Sequence, residues 1–173
     1  MRAIPPAALA AVALVTVASG CGGGGGKHAA TTTTTGKATA AAATTAPANA
    51  KVTVVSGRLS AALVVPKKGP ANAAGTVVIR LDPKAGKACW KLTLTGVVGA
   101  LSAHVHFGTT KQLGPVVIPL GDRFAPKGCV LVPLRSLQAV AKKPGSYYVD
   151  VHTKKYLDGA VRGPLRTGSG ARQ

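Results

Sequence analysis

Glutamate does not occur in this 173-residue chain, and its only acids are four aspartates: Asp82, Asp122, Asp150 and Asp158. No two of them stand at a spacing that would pair carboxylates for catalysis, and no glycine-rich phosphate loop is present. A serine nucleophile elbow is missing as well, because Ser56-Gly57 and Ser169-Gly170 lack the flanking residues such a turn needs. General acid–base chemistry would fall to the histidines alone, so a non-catalytic role is expected. Aromatic residues make up only 3% of the chain. Scarce Glu and Gln beside frequent Val and Thr argue against a helical protein and for strands and turns. The longest apolar run, AALAAVALVTVA at residues 7–18, falls short of the ~20 residues that cross a bilayer as a helix.

What is present begins with positive charge. Lysine and arginine number 22, for a net charge of +18, and 19 of these bases follow residue 50. Several lie in pairs within turn-rich segments, Lys67-Lys68, Lys142-Lys143 and Lys154-Lys155. No basic helix or aromatic stacking platform accompanies them, so nucleic acid is not an expected partner. The charge reads as solvated surface, or as attraction to an anionic cell-wall polymer, lipid headgroup or envelope protein. A monomer is expected.

The first 50 residues divide into a leader and a tether. Arg2 precedes the apolar run, and Ala18-Ser19-Gly20 lead into Cys21. A short apolar segment followed by small residues has the form of a cleaved signal peptide, here residues 1–20. The segment resembles the lipobox of bacterial lipoproteins, which implies acylation of Cys21 and attachment to the cell membrane from the extracytoplasmic side. Plain secretion is the alternative. Residues 22–50 run from five glycines into TTTTTGKATAAAATTAPANA, a composition that cannot build a core, so a disordered tether is expected. His28 reads as a solvated residue of that tether.

From residue 51 to about 166 the pattern changes to one small domain, followed by a disordered tail at 167–173. Short β-patterned runs recur at 52–65, 75–82, 88–95, 100–107, 115–120, 129–132, 146–152 and 159–165, separated by Gly/Pro/Lys turns. Val77, Ile79 and Leu81 share one face of their run; Trp90, Leu92 and Leu94 share one face of theirs. A single helix is expected from Leu134 to Lys142, stopped by Lys143-Pro144-Gly145. Such a series of short strands predicts an all-β fold, a single small β-sandwich or flattened barrel with one short helix. With Cys21 set aside, Cys89 and Cys129 remain, and in an exported domain they most simply form one disulfide. It would close a loop of about 40 residues, contributing ~3–4 kcal/mol in the chain-entropy account. Two free thiols are the alternative; no Cys/His spacing favours a metal there. Trp90 is expected in the core beside that disulfide.

His104-Val105-His106 sits inside a strand pattern, so both imidazoles share a face. In a later strand, period-two geometry puts Tyr148, Asp150 and His152 on one face. Three imidazoles on neighbouring strands could hold copper or zinc. Asp150 could orient a ring. The role expected first is structural: histidines bonded to backbone or aspartate that tie two sheets together, with the metal site as the alternative and ligand or partner binding as a third reading. Arg162, between Gly159 and Gly163, is expected to pair with Asp150 or Asp158 or to cap the histidine face; anion binding is the alternative. Of Tyr147 and Tyr148, one should enter the core and the other should lie near the histidines.

Four segments then carry a family resemblance. Ala103-His104-Val105-His106-Phe107-Gly108, Gly114 to Leu120 (GPVVIPL), Tyr147 to Thr153 (YYVDVHT) and Gly159 to Leu165 (GAVRGPL) resemble, in order, motifs of the CHRD (chordin-type) domain. The likeness spans about residues 53 to 166, with Asp150 where the family usually has asparagine. It implies an extracellular or secreted domain without an assigned biochemical activity. It also implies a Greek-key sandwich similar to Cu/Zn superoxide dismutase, whose strands carry a comparable HxH that His104 and His106 match. The zinc loop of those dismutases has no counterpart here, since a single acid, Asp122, and no histidine separate His106 from His152. Dismutase activity is therefore not expected, and a copper site stays open.

Overall fold

The computed structural model describes residues 50–168. The leader, Cys21, almost all of the tether and the tail beyond Gly168 lie outside the described residues. The expected all-β architecture is present. In chain order the strands are β1 (Thr53–Ser60), β2 (Ala74–Asp82), β3 (Lys87–Thr95), β4 (Ala100–Phe107), β5 (Val116–Pro119), β6 (Lys127–Leu131), β7 (Tyr147–Thr153), β8 (Val161–Pro164) and β9 (Arg166–Thr167). Helix α1 spans Leu134–Lys142, the segment its sequence predicts. All pairings are antiparallel and follow one path, β5-β4-β7-β8-β1-β2-β3-β6, with β9 beside β1.

Alternation in the strands sets which side chains are buried. Val77, Ile79 and Leu81 of β2 are buried, while Thr76, Val78 and Arg80, which alternate with them, are exposed. The buried sets of β1, β2 and β3 share one core cluster with Ala103 and Val105 of β4, Ile118 of β5 and Val149 and Val151 of β7. The path thus folds over on itself into a nearly closed barrel or sandwich with apolar faces inward. Leu137 and Val140 anchor α1 to the same core.

Two boundaries differ from the sequence reading. The run 52–65 ends as a strand at Ser60, whose hydroxyl accepts a bond from the Ala62 amide and starts a 3-10 turn over Ala61–Leu63. The apolar residues after Ser60 no longer alternate, and the side-chain cap wins over strand propensity. At the other end, Arg166 and Thr167 pair with Ser56 and Val55, so paired backbone extends one residue past the boundary drawn at 166.

Cys89 and Cys129 stand directly opposite each other on β3 and β6 and are joined in a disulfide. Trp90 points to the opposite face from its neighbour Cys89. It is buried in the core beside Gly128 and Gly121, and its indole N–H donates to the Ala125 carbonyl at 3.0 Å. Gly128 lies across from Trp90, and a Cβ there would meet the indole ring.

Candidate metal centre

The register of β4, β7 and β8 assembles the site. His104 faces Asp150 across the β4–β7 ladder, His106 faces Tyr148 and Ser102 faces His152. On the far side of β7, Asp150 faces Arg162 of β8. Side chains two residues apart share a face, so His104, His106, Tyr148, Asp150, His152 and Arg162 all project from the side of these strands opposite the core.

A sheet face pointing away from the core would normally be wet, yet Asp150 and Arg162 are both 0% exposed and His106 is 8% exposed. Two loops cover them. From the β4–β5 loop, the Gln112 carbonyl accepts from Arg162 Nη1 at 3.1 Å, the Gly114 amide donates to the Tyr148 hydroxyl at 2.8 Å, and the Gly114 carbonyl lies 2.8 Å from His106 Nδ1. From the β7–β8 loop, the Leu157 carbonyl lies 2.8 Å from His152 Nδ1 and the Asp158 carbonyl accepts from Arg162 Nη2 at 3.1 Å. Gly114 suits its place because a Cβ there would run into the Phe107 carbonyl.

Arg162 joins the cluster as a fixed cation. Its Nη2 donates to Asp150 Oδ2 at 3.0 Å, and its guanidinium sits 4.5 Å from the centre of the Tyr148 ring. Tyr148 in turn stacks on His106, with ring centres 5.0 Å apart and planes 5° from parallel. Of the pairings expected for Arg162, the one with Asp150 is made through the carboxylate, while Asp158 contributes only its backbone oxygen. Tyr147 enters the core and Tyr148 lies against the histidines.

The hydrogen bonds fix the imidazole tautomers. A backbone carbonyl can only accept, so Nδ1 of His106 and of His152 must carry the proton given to Gly114 and Leu157. In the neutral rings Nε2 then presents a lone pair. Both Nε2 atoms point at one atom, Asp150 Oδ1, at 2.8 and 2.9 Å. With both rings neutral no proton lies in either contact, so these three atoms, together with the buried Nδ1 of His104, are without a hydrogen-bonding partner, and a proton on either Nε2 would turn its contact into an ion pair with Asp150. Acceptors crowded together without a donor repel, and a cation between them removes the repulsion. One ligand atom from each of His104, His106, Asp150 and His152 lies within 4.8 Å of the others. Donors around a tetrahedral zinc stand ~3.4 Å apart, so the two Nε2–Oδ1 contacts would open slightly and the widest separation would close by up to ~1.4 Å to complete such a set. Backbone carbonyls holding the remote N–H of ligating imidazoles are the usual outer support of a metal site.

Titration tendencies agree with a proton standing in for that cation. Burial works to raise the Asp150 carboxyl, but the two imidazoles against it outweigh burial and hold it far below the ordinary range. Burial likewise works to lower His152, and contact with Asp150 outweighs it, raising this ring above its ordinary value. His104 goes the other way, lowered by burial first and by its histidine neighbours second.

The three histidines proposed from sequence are brought together. Asp150, read there as a residue that orients a ring, instead offers an oxygen to the cluster itself. The backbone contributions of Gln112, Gly114 and Leu157 had no signal in residue type. Gly114 was visible only as part of the GPVVIPL motif.

With this geometry in view, comparison with known proteins gives one positive finding: the family model of the CHRD domain matches residues 55–165. A search of curated proteins and a search of solved structures each returned no significant match.

Proposed function

The chain belongs to the CHRD family, and from that premise we propose that its domain binds one divalent copper or zinc ion through His104, His106, His152 and Asp150. The observation that carries this reading is the convergence of His106 Nε2 and His152 Nε2 on Asp150 Oδ1, with both Nδ1 protons already committed to backbone carbonyls. Three imidazoles and one carboxylate form a donor set suited to either ion. Arg162 neutralises the far oxygen of Asp150, holds the carboxylate in place and closes the rear of the site. The two covering loops restrict water on that side. The reading takes the role as binding rather than turnover, so copper-loaded protein should show no superoxide turnover; measurable turnover would make the site a redox centre instead.

Equilibrium dialysis of the full chain against Zn(II) or Cu(II), followed by elemental analysis, tests the proposal. About one ion per chain is expected, held through desalting and lost in a His104→Ala/His106→Ala variant. Equal metal content in that variant would remove the site.

Export and membrane attachment complete the reading. The Cys89–Cys129 disulfide indicates an oxidising, extracytoplasmic compartment. The apolar run and the small residues before Cys21 support acylation there. Metabolic fatty-acid labelling should be present in the natural chain and absent in Cys21→Ser.

A further inference from the structure

Away from the metal centre, the strands β9, β1, β2, β3 and β6 present a second outward face. Pleat alternation puts Arg58, Arg80, Lys87, Lys91, Lys127 and Arg166 on it, all exposed. The only acid on these strands is Asp82, at the end of β2, and it is paired with Arg80 at 3.1 Å. One row of cross-strand partners runs Arg166–Ser56–Val78–Lys91–Lys127. Five strands at the usual spacing make that row ~19 Å long. Lys91 and Lys127 are direct partners, and like charges placed opposite each other destabilise a sheet. The arrangement costs stability in the free protein, and a bound anion would offset that cost. Arg58 and Arg166 flank a groove of about 760 Å³ on the same face, where Ser56 and Thr76 add hydroxyl groups.

We propose that this face binds a linear phosphate polymer, with Arg58, Arg166, Lys91 and Lys127 as its phosphate contacts. The arginine fork matches phosphate geometry, and hydroxyls between the bases supply neutral donors. Bases spaced along a row that crosses five strands, Arg166 at one end and Lys91 and Lys127 at the other, fit an extended chain of anions better than a single one. The site shares no residue with the metal cluster and stands or falls separately from it.

Net charge alone draws polyanions to a protein this basic, so the test has to separate location from charge. The full chain carrying Cys21→Ser, which takes the anchor out of the comparison, is titrated with linear inorganic polyphosphate at physiological salt. One variant replaces Arg58, Lys91, Lys127 and Arg166 with serine. A control of equal charge replaces Arg135, Lys142, Lys143 and Lys154, which are exposed on α1 and in loops. The face variant should weaken binding by about tenfold or more and flatten its salt dependence, while the control stays within about twofold. Equal weakening in both variants would reduce the effect to net charge and overturn the proposal. So would absence of binding, equal affinity for polyglutamate, or binding confined to phosphatidylglycerol vesicles. Cooperative melting of both variants establishes that they fold. If the face variant does not melt cooperatively, Lys91→Gln/Lys127→Gln takes its place, with a smaller loss expected and an unchanged affinity overturning the proposal.

Discussion

Asp150 uses its two oxygens differently: Oδ2 faces Arg162 at 3.0 Å, and Oδ1 faces His106 and His152. Both charges of the Asp150–Arg162 pair are fully buried, so neither can be rescued by water if the other is removed. Arg162→Leu should therefore destabilise the domain by ~3–5 kcal/mol, read from denaturant unfolding; a loss below ~1 kcal/mol would show that the pair is not desolvated as described. Asp150 also shapes the acid limb. Its carboxyl titrates below the ordinary value of 3.8 in the folded protein. The stability it contributes is thus complete above that value and is lost as pH falls toward the folded pKa. Metal-free protein should lose stability steeply below pH 3.8, and Asp150→Asn should flatten that slope. An identical acid limb in both proteins would contradict the assignment.

At the scale of elements, two devices hold the site, and they should separate under mutation. The β4–β5 loop reaches His106 through the Gly114 carbonyl, and a side chain at Gly114 would meet the Phe107 backbone. Gly114→Ala should therefore weaken metal binding by about tenfold or more while the domain still folds, since the remote hydrogen bond of a ligating ring is typically worth that much. Unchanged affinity in calorimetric titration would show that the loop does not orient the ring. The disulfide acts elsewhere, tying β3 to β6 across a sequence separation of 40. Cys89→Ala/Cys129→Ala should lower stability by ~3–4 kcal/mol and leave metal stoichiometry intact. The elements differ in how far sequence reveals them. The HxH strand and the later strand with Asp150 and His152 are legible because period-two spacing fixes faces without any knowledge of partners. The end of β1 at Ser60 is not, because a side-chain cap competes with an apolar run. The basic face is not legible either. Paired lysines in turns catch the eye, whereas Lys91 and Lys127 become neighbours only through a register that sequence does not carry.

For the whole molecule, metal binding and folding should be linked, because the ligands come from two strands that meet only in the folded chain. A ligand that binds the native state alone stabilises it by ~2.7 kcal/mol at a hundred times its dissociation constant. Zinc should raise the thermal midpoint of the natural chain and leave that of His104→Ala/His106→Ala unchanged; an equal shift in both would place the effect outside the cluster. Composition and strand rhythm suffice for the all-β architecture, and the order of four motifs suffices for the family. The donor atoms were beyond reach, because the protons at Nδ1 are set by backbone carbonyls that carry no residue signature. The most direct measurement is long-range proton–nitrogen NMR of the histidine rings before and after one equivalent of zinc. Nε2 of His106 and His152 and Nδ1 of His104 should shift to metal-bound values, while Nδ1 of His106 and His152 keep their protons. Ring nitrogens that do not respond to the metal would contradict the account and leave the cluster as a structural tie between strands.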